Sequence, residues 1–180
     1  MLIRRTVPAL ALALPLAVAG CSSSGDTTES SAVVITTPTA VPEQQFEAND
    51  VANLTTTEIS GERVDDPGMN VSYKWQGTRS ASNGGTIVVV AVTNQSDVPM
   101  PVSALAQPSL TYSTGSSGTN KEIAEPLSGE DAGVDTLGLD MPLGAGASVN
   151  LMYAFDVSMY SLYNAQFTIG NVVFSGNLNN

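Results

Sequence analysis

Thr86-Ile87-Val88-Val89-Val90-Ala91-Val92-Thr93-Asn94-Gln95-Ser96-Asp97 decides the fold. Every residue from Thr86 to Thr93 except Ala91 is β-branched, and such side chains are stiff and suit a pleated surface. Apolar groups fall on both sides of the pleat, so the run predicts a central strand covered on both faces or nearly so. Asn94 to Asp97 then supplies the polar residues of a turn.

Working outward, Val71-Ser72-Tyr73-Lys74-Trp75 alternates and sets Val71, Tyr73 and Trp75 on one face of a half-buried strand. Gly77 to Gly85 predicts a loop that closes on Asn83-Gly84-Gly85, a turn needing positive φ. Downstream, Pro99 and Pro101 cannot pair within a central strand and mark an edge or a crossover. Further strands are expected around Leu110 and Tyr112, over Ser148 to Val157, over Ala165 to Ile169 and over Asn171 to Phe174, with Gly170 breaking the last two apart. In the second of these, Val149, Leu151, Tyr153 and Phe155 share a face. Lys121 to Met141 is long, acidic and dotted with glycine, as a functional or mobile loop would be. The pattern predicts an all-β domain over 58–180, an antiparallel two-sheet sandwich of about seven strands.

Two stretches carry a family resemblance. Ile87 to Pro99 resembles the strand and the "threonine, asparagine, polar, serine, acid, apolar, proline" corner of telokin-like, immunoglobulin-type domains of bacterial lipoproteins and secreted proteins. Leu143-Gly144-Ala145-Gly146-Ala147-Ser148, followed by Tyr153-Ala154-Phe155-Asp156-Val157, resembles their glycine turn and the strand after it, with Ala145 where those domains often carry proline. The resemblance implies an immunoglobulin-like sandwich in an extracytoplasmic setting, and it transfers no catalytic residue.

The N-terminal third is different in kind. Arg4 and Arg5 precede an apolar stretch, Thr6 to Ala19, which is interrupted by Pro8 and Pro15. A spanning helix needs about 20 apolar residues, so 1–20 is expected to be a signal peptide. Leu16-Ala17-Val18-Ala19-Gly20-Cys21 resembles the bacterial lipoprotein box. That resemblance implies cleavage between Gly20 and Cys21 and acylation of the Cys21 thiol. Two acyl chains, at about 0.8 kcal/mol per buried methylene, make a lasting membrane anchor. Residues 21–57 are rich in Ser, Thr, Pro and acids and contain no Lys or Arg, so they are expected to form a flexible tether. A strand at Val33-Val34-Ile35 and a helix over Pro42 to Leu54 are lesser readings of the same stretch.

Composition excludes much chemistry. Cys21 is the only cysteine, so the exported domain has no disulfide framework. There is no histidine, which rules out histidine triads, histidine-bound zinc and a histidine pH switch. Neither lysine has serine three residues before it, and no phosphate-binding glycine loop occurs. Without Arg4 and Arg5, four basic residues face seventeen acidic ones, a net charge of −13. Such a surface repels nucleic acid and anionic lipid headgroups.

The remaining candidates are few. Glu122, Glu125, Glu130, Asp131, Asp135 and Asp140 share one segment, and Glu130, Asp131 and Asp135 are its nearest approach to a calcium site. Their spacing departs from the known calcium loop, and a solvated acidic face is the plainer expectation. Met159, Tyr160, Leu162, Tyr163 and Phe167 cluster in sequence. Core packing is the plain reading, as it is for Trp75, but Tyr160 and Tyr163 become a binding surface if exposed. Gln107-Pro108 and the proline corner are candidates for an edge that accepts a partner strand, although proline opposes such pairing. The expected protein is a lipid-anchored, non-catalytic binding module outside the cytoplasmic membrane, with no cofactor. Its partners are the membrane, through the lipid, and an unidentified envelope protein or glycan. The alternatives are an envelope hydrolase or carbohydrate-active enzyme with paired carboxylates, and a calcium-stabilised adhesion-type sandwich.

Overall fold

A computed structural model describes residues 44–114 and 120–179. The signal peptide, Gly20, Cys21 and Val33 to Ile35 lie outside the described residues. Nine strands occur among those described: β1 (Leu54–Thr56), β2 (Arg63–Asp65), β3 (Val71–Ser80), β4 (Thr86–Asn94), β5 (Ser109–Thr114), β6 (Asn120–Ile123), β7 (Ser148–Phe155), β8 (Ala165–Ile169) and β9 (Val172–Gly176). They form two sheets, ordered β2-β3-β4-β7 and β1-β9-β8-β5-β6. All pairings are antiparallel except that of β1 with β9.

The founding strand behaves as its composition requires. β4 pairs with β3 on one side and β7 on the other. Val88, Val90 and Val92 point into the main core, while Ile87 joins a smaller cluster with Ala81, Ala132 and Ala154 on the opposite face. The main core lies between the sheets. Trp75 on β3 meets Phe167 on β8 and Phe174 on β9 at ring-centroid distances of 5.9 and 5.5 Å, and Phe155 on β7 meets Phe167 edge-on at 6.2 Å. Each such pair adds about 0.5–1.5 kcal/mol beyond the burial of its area. Pro99 and Pro101 sit where the chain crosses from β4 in one sheet to β5 in the other.

Four expectations need correction. Residues 44–57 belong to the folded domain rather than to a tether: Phe46 packs against the core, Ala48 bridges to Met69, and β1 extends the second sheet. No helix forms among the described part of Pro42 to Leu54. Next, β3 runs on to Ser80 where a loop was expected. A bulge between Trp75 and Gly77 inserts Gln76, with Gly77 at φ +104°, and this shifts the phase of the alternation. The turn proper is only Ala81 to Gly85, in which the Asn83 side chain accepts from the Gly85 amide at 3.0 Å. Finally, Lys121 to Met141 is not a bare loop. It contains β6 and a single helical turn, Gly129–Ala132, whose N-cap Ser128 accepts from the Asp131 amide.

That acidic segment has a structural task. Leu127, Val134 and Leu137 pack over Ile87, Val89, Met152 and Ala154, covering the outer face of β4 and β7. The Leu127, Gly138 and Asp156 amides donate to the carbonyls of Ala154, Met152 and Glu125, so the same segment also closes the edge of β7.

Candidate functional site

The strands define two poles. One holds the turns at 66–70, 94–98, 143–147 and 170–171, where the described chain also begins. The other holds the turn at 81–85, residues 156–164 and the C-terminal residues 176–179.

The first pole is a lattice of satisfied polar groups. Asp66 is the one buried ionisable carboxylate among the described residues. Its Oδ1 accepts from the amides of Gly68 and Met69 and from Asn171 Nδ2, at 2.8, 3.0 and 2.8 Å. Its Oδ2 accepts from the Tyr73 hydroxyl at 3.1 Å and from the Asn171 amide at 2.9 Å. Burial first, then the charge of Asp66 and this hydrogen bond, raise the Tyr73 hydroxyl well above its ordinary range. Burial alone pushes Tyr153, on β7, up to about 12. Gly170 must be glycine: its φ is +53°, and a Cβ would collide with the Tyr73 hydroxyl, Asp66 and Met69. Asn171 also donates from Nδ2 to the Asn49 carbonyl at 3.0 Å and accepts from the Val51 amide at 3.2 Å.

Beside this lattice, fully buried Asn94 donates through Nδ2 to the carbonyls of Val98, Leu143 and Gly144 at 2.8, 3.0 and 3.1 Å. Its Oδ1 accepts from the Ser96 amide and hydroxyl. One asparagine thus ties the polar corner after β4 to the glycine turn before β7. An open recess of about 260 Å³ adjoins the corner, lined by residues that include Phe46, Glu47, Asn49, Asn70 and Asp97.

The second pole is made differently. A 3₁₀ turn, Met159–Asn164, buries Leu162 and leaves Tyr160 86 % and Tyr163 53 % exposed. The sequence cluster therefore divides: Leu162 and Phe167 are core, as is Trp75, while the two tyrosines face water. The turn is fixed from below. The Leu178 amide donates to the Leu162 carbonyl at 2.9 Å, Ser113 Oγ to the Asn164 carbonyl at 3.0 Å, and Thr86 Oγ1 to the Val157 carbonyl at 2.6 Å. Ser80, Gly84, Ser158, Met159, Tyr160 and Asn179 line a recess of about 250 Å³ beside it.

The acidic candidates are not brought together. Glu130, Asp131 and Asp135 are exposed on the cover over β4 and β7, and Asp131 accepts from the Ser128 hydroxyl at 2.7 Å. Among the described residues no three acidic side chains form a group able to hold a metal ion. Asp66, the only carboxylate removed from water there, has all its capacity taken by five donors. That leaves it without a lone pair to offer as a general base. No helix among the described residues is long and apolar enough to cross a membrane.

Sequence reasoning missed Asp66 and Asn171. Asp65-Asp66-Pro67-Gly68 carried a turn signal, but which of two adjacent acids turns inward depends on contacts with residues about a hundred positions away. The fold and both poles define an all-β sandwich, and comparison with known proteins takes this no further: the chain matches no protein-family model, no curated protein and no solved structure.

Proposed function

We propose that this chain is a lipid-anchored protein of a bacterial cell envelope, held by Cys21, and that its sandwich displays a non-catalytic binding surface at the second pole. One observation carries the reading: residues 44–49 lie beside the first pole, and the exposed tyrosines stand at the opposite one. The chain that follows Cys21 enters the folded domain at the first pole, so Tyr160 and Tyr163 stand at the end of the domain farther from its point of attachment. The N-terminal residues support the anchor through their likeness to the lipoprotein box.

The strand order supports an immunoglobulin-like type. In immunoglobulin lettering β3, β4 and β7 take the places of A, B and E, while β9, β8, β5 and β6 take those of G, F, C and C′. The short strands β1 and β2 are additions, Trp75 lies on β3 rather than on the C-like strand, and no disulfide joins the sheets. Asn94 supports the resemblance, since its amide ties the corner to the glycine turn, the two stretches that carry it.

Cys21→Ala tests the anchor. Expressed in a lipoprotein-processing bacterium, the unchanged chain is expected in the membrane fraction and the variant in soluble or precursor form. Membrane fractionation unaltered by the substitution overturns the assignment.

A further inference from the structure

We propose that the recess at the second pole binds a neutral carbohydrate, with Tyr160 as the stacking ring and Asn179, Ser80 and Ser158 as hydrogen-bonding partners. The proposal rests on the display function above and gives it a ligand class.

The composition of this pole is the first support. Residues 80–85, 157–164 and 175–179 contain no charged side chain, in a chain whose net charge is −11. Arg79 and Asp156 stand at its border, as do Glu130 and Asp131, whose helical turn meets the 81–85 turn through the Ser82 amide and the Ala132 carbonyl, and Lys121 and Glu122 on β6; none of them lines the recess. An anionic ligand finds no cluster of cations there, and a cationic peptide finds no carboxylates within the recess. The groups offered are instead hydroxyls, carboxamides and two tyrosine rings. Hydroxyls and amides both donate and accept, which matches the hydroxyls of a sugar. An aromatic face matches the apolar C–H face of a pyranose, and tyrosine adds a polar handle at its rim.

The second support is geometry. Tyr160 and Met159 rise from a turn pinned by backbone hydrogen bonds, and the Ser80 hydroxyl donates to Met159 Sδ at 3.3 Å. The rim is therefore set before a ligand arrives, which lowers the ordering cost of binding. A concave site of about 250 Å³ with a few convergent polar groups suits one small ring more than a flat protein surface. A protein partner also needs an apolar centre ringed by polar residues. Among the described residues, the large hydrophobic side chains exposed at this pole are Tyr160 and Tyr163, each ending in a hydroxyl.

The test uses the full-length protein in detergent micelles, applied to an array of neutral oligosaccharides and to insoluble neutral polysaccharides. Binding to at least one neutral sugar is expected. Tyr160→Ala and Asn179→Ala should each weaken it by about tenfold or more, and Gln45→Ala at the opposite pole should leave it unchanged. Circular dichroism confirms that each variant is folded. Two results overturn the proposal: no neutral glycan is retained, or Tyr160→Ala binds as well as the parent. A photo-crosslinker at position 160 that captures a protein rather than a glycan in cells also overturns it, while leaving display intact. Failure of the anchor is read separately, by fractionation of Cys21→Ala.

Discussion

At one end of the sandwich Asp66 accepts five hydrogen bonds and Asn94 reaches three carbonyls; at the other, Tyr160 stands 86 % exposed. Both ends are loops, and both are rich in polar residues. They differ in whether the polar groups are spent. The first end consumes its hydrogen-bonding capacity in joining four turns to one another. The second fixes its backbone through Leu162, Thr86 and Ser113 and leaves the rings of Tyr160 and Tyr163 to the solvent. A domain that folds without a disulfide and, as proposed above, holds a ligand gains from separating these tasks, since groups bound to each other are less available to a partner.

The largest test of this division is at the first pole. Asp66→Ala strands buried donors at Gly68, Met69, Tyr73 and Asn171 and should destabilise the domain by about 3 kcal/mol or more. Asn94→Ala should cost about 2 kcal/mol, because three carbonyls lose their donor. Urea unfolding measures both, and losses below about 0.5 kcal/mol for either would show that this pole is not the structural one.

The next test is alkaline. Tyr73 and Tyr153 release their protons only above the ordinary tyrosine value, Tyr153 at about 12. The unfolded chain releases them near pH 10, so above that pH the folded state binds more protons than the unfolded one. Their contribution is complete below pH 10 and is lost as pH rises from 10 towards 12 and beyond. Tyrosinate absorbance at about pH 11 should therefore show Tyr73 and Tyr153 still protonated until the domain unfolds, and the melting temperature should fall as pH rises from about 10 to about 12. Full ionisation of all five tyrosines without unfolding would break the picture of a closed core.

The smallest effect is expected where the surface is free. Tyr160→Ala and Tyr163→Ala should each change stability by less than about 0.5 kcal/mol. A loss of about 2 kcal/mol from either would mean that the tyrosine braces its pole.

Much of the sandwich was legible because period-2 alternation is a local property. Ser148 to Phe155 and Ala165 to Ile169 declare their faces in their own residues, and Thr86 to Thr93 declares a strand through its β-branched run. The short strands β1, β2 and β6 were not legible, since three or four residues carry too little alternation and are ordered by the strand they pair with. The extension of β3 was hidden by the Gln76 bulge, which breaks the period that would have announced it. The acidic segment was illegible for another reason: its six acids dominate its composition, while Leu127, Val134 and Leu137 do the packing. Tyr160 and Tyr163 were named from sequence, but only the turn around Leu162 separates exposed rings from buried ones.

β1 and β9 lie parallel, and the Leu54 amide donates to the Asn171 carbonyl at 2.8 Å just where their pairing begins. A pull applied at the N-terminal side of β1 and at residues 177–179 after β9 draws β1 one way and β9 the other, along their common axis. Their hydrogen bonds then share the load as a lap joint does, all resisting at once, whereas a hairpin pulled from its ends opens one bond at a time. Asn171, which also grips Asn49 and Val51, acts as the rivet at the end of that joint. The order in which this domain yields to force is written in the direction of a strand three residues long.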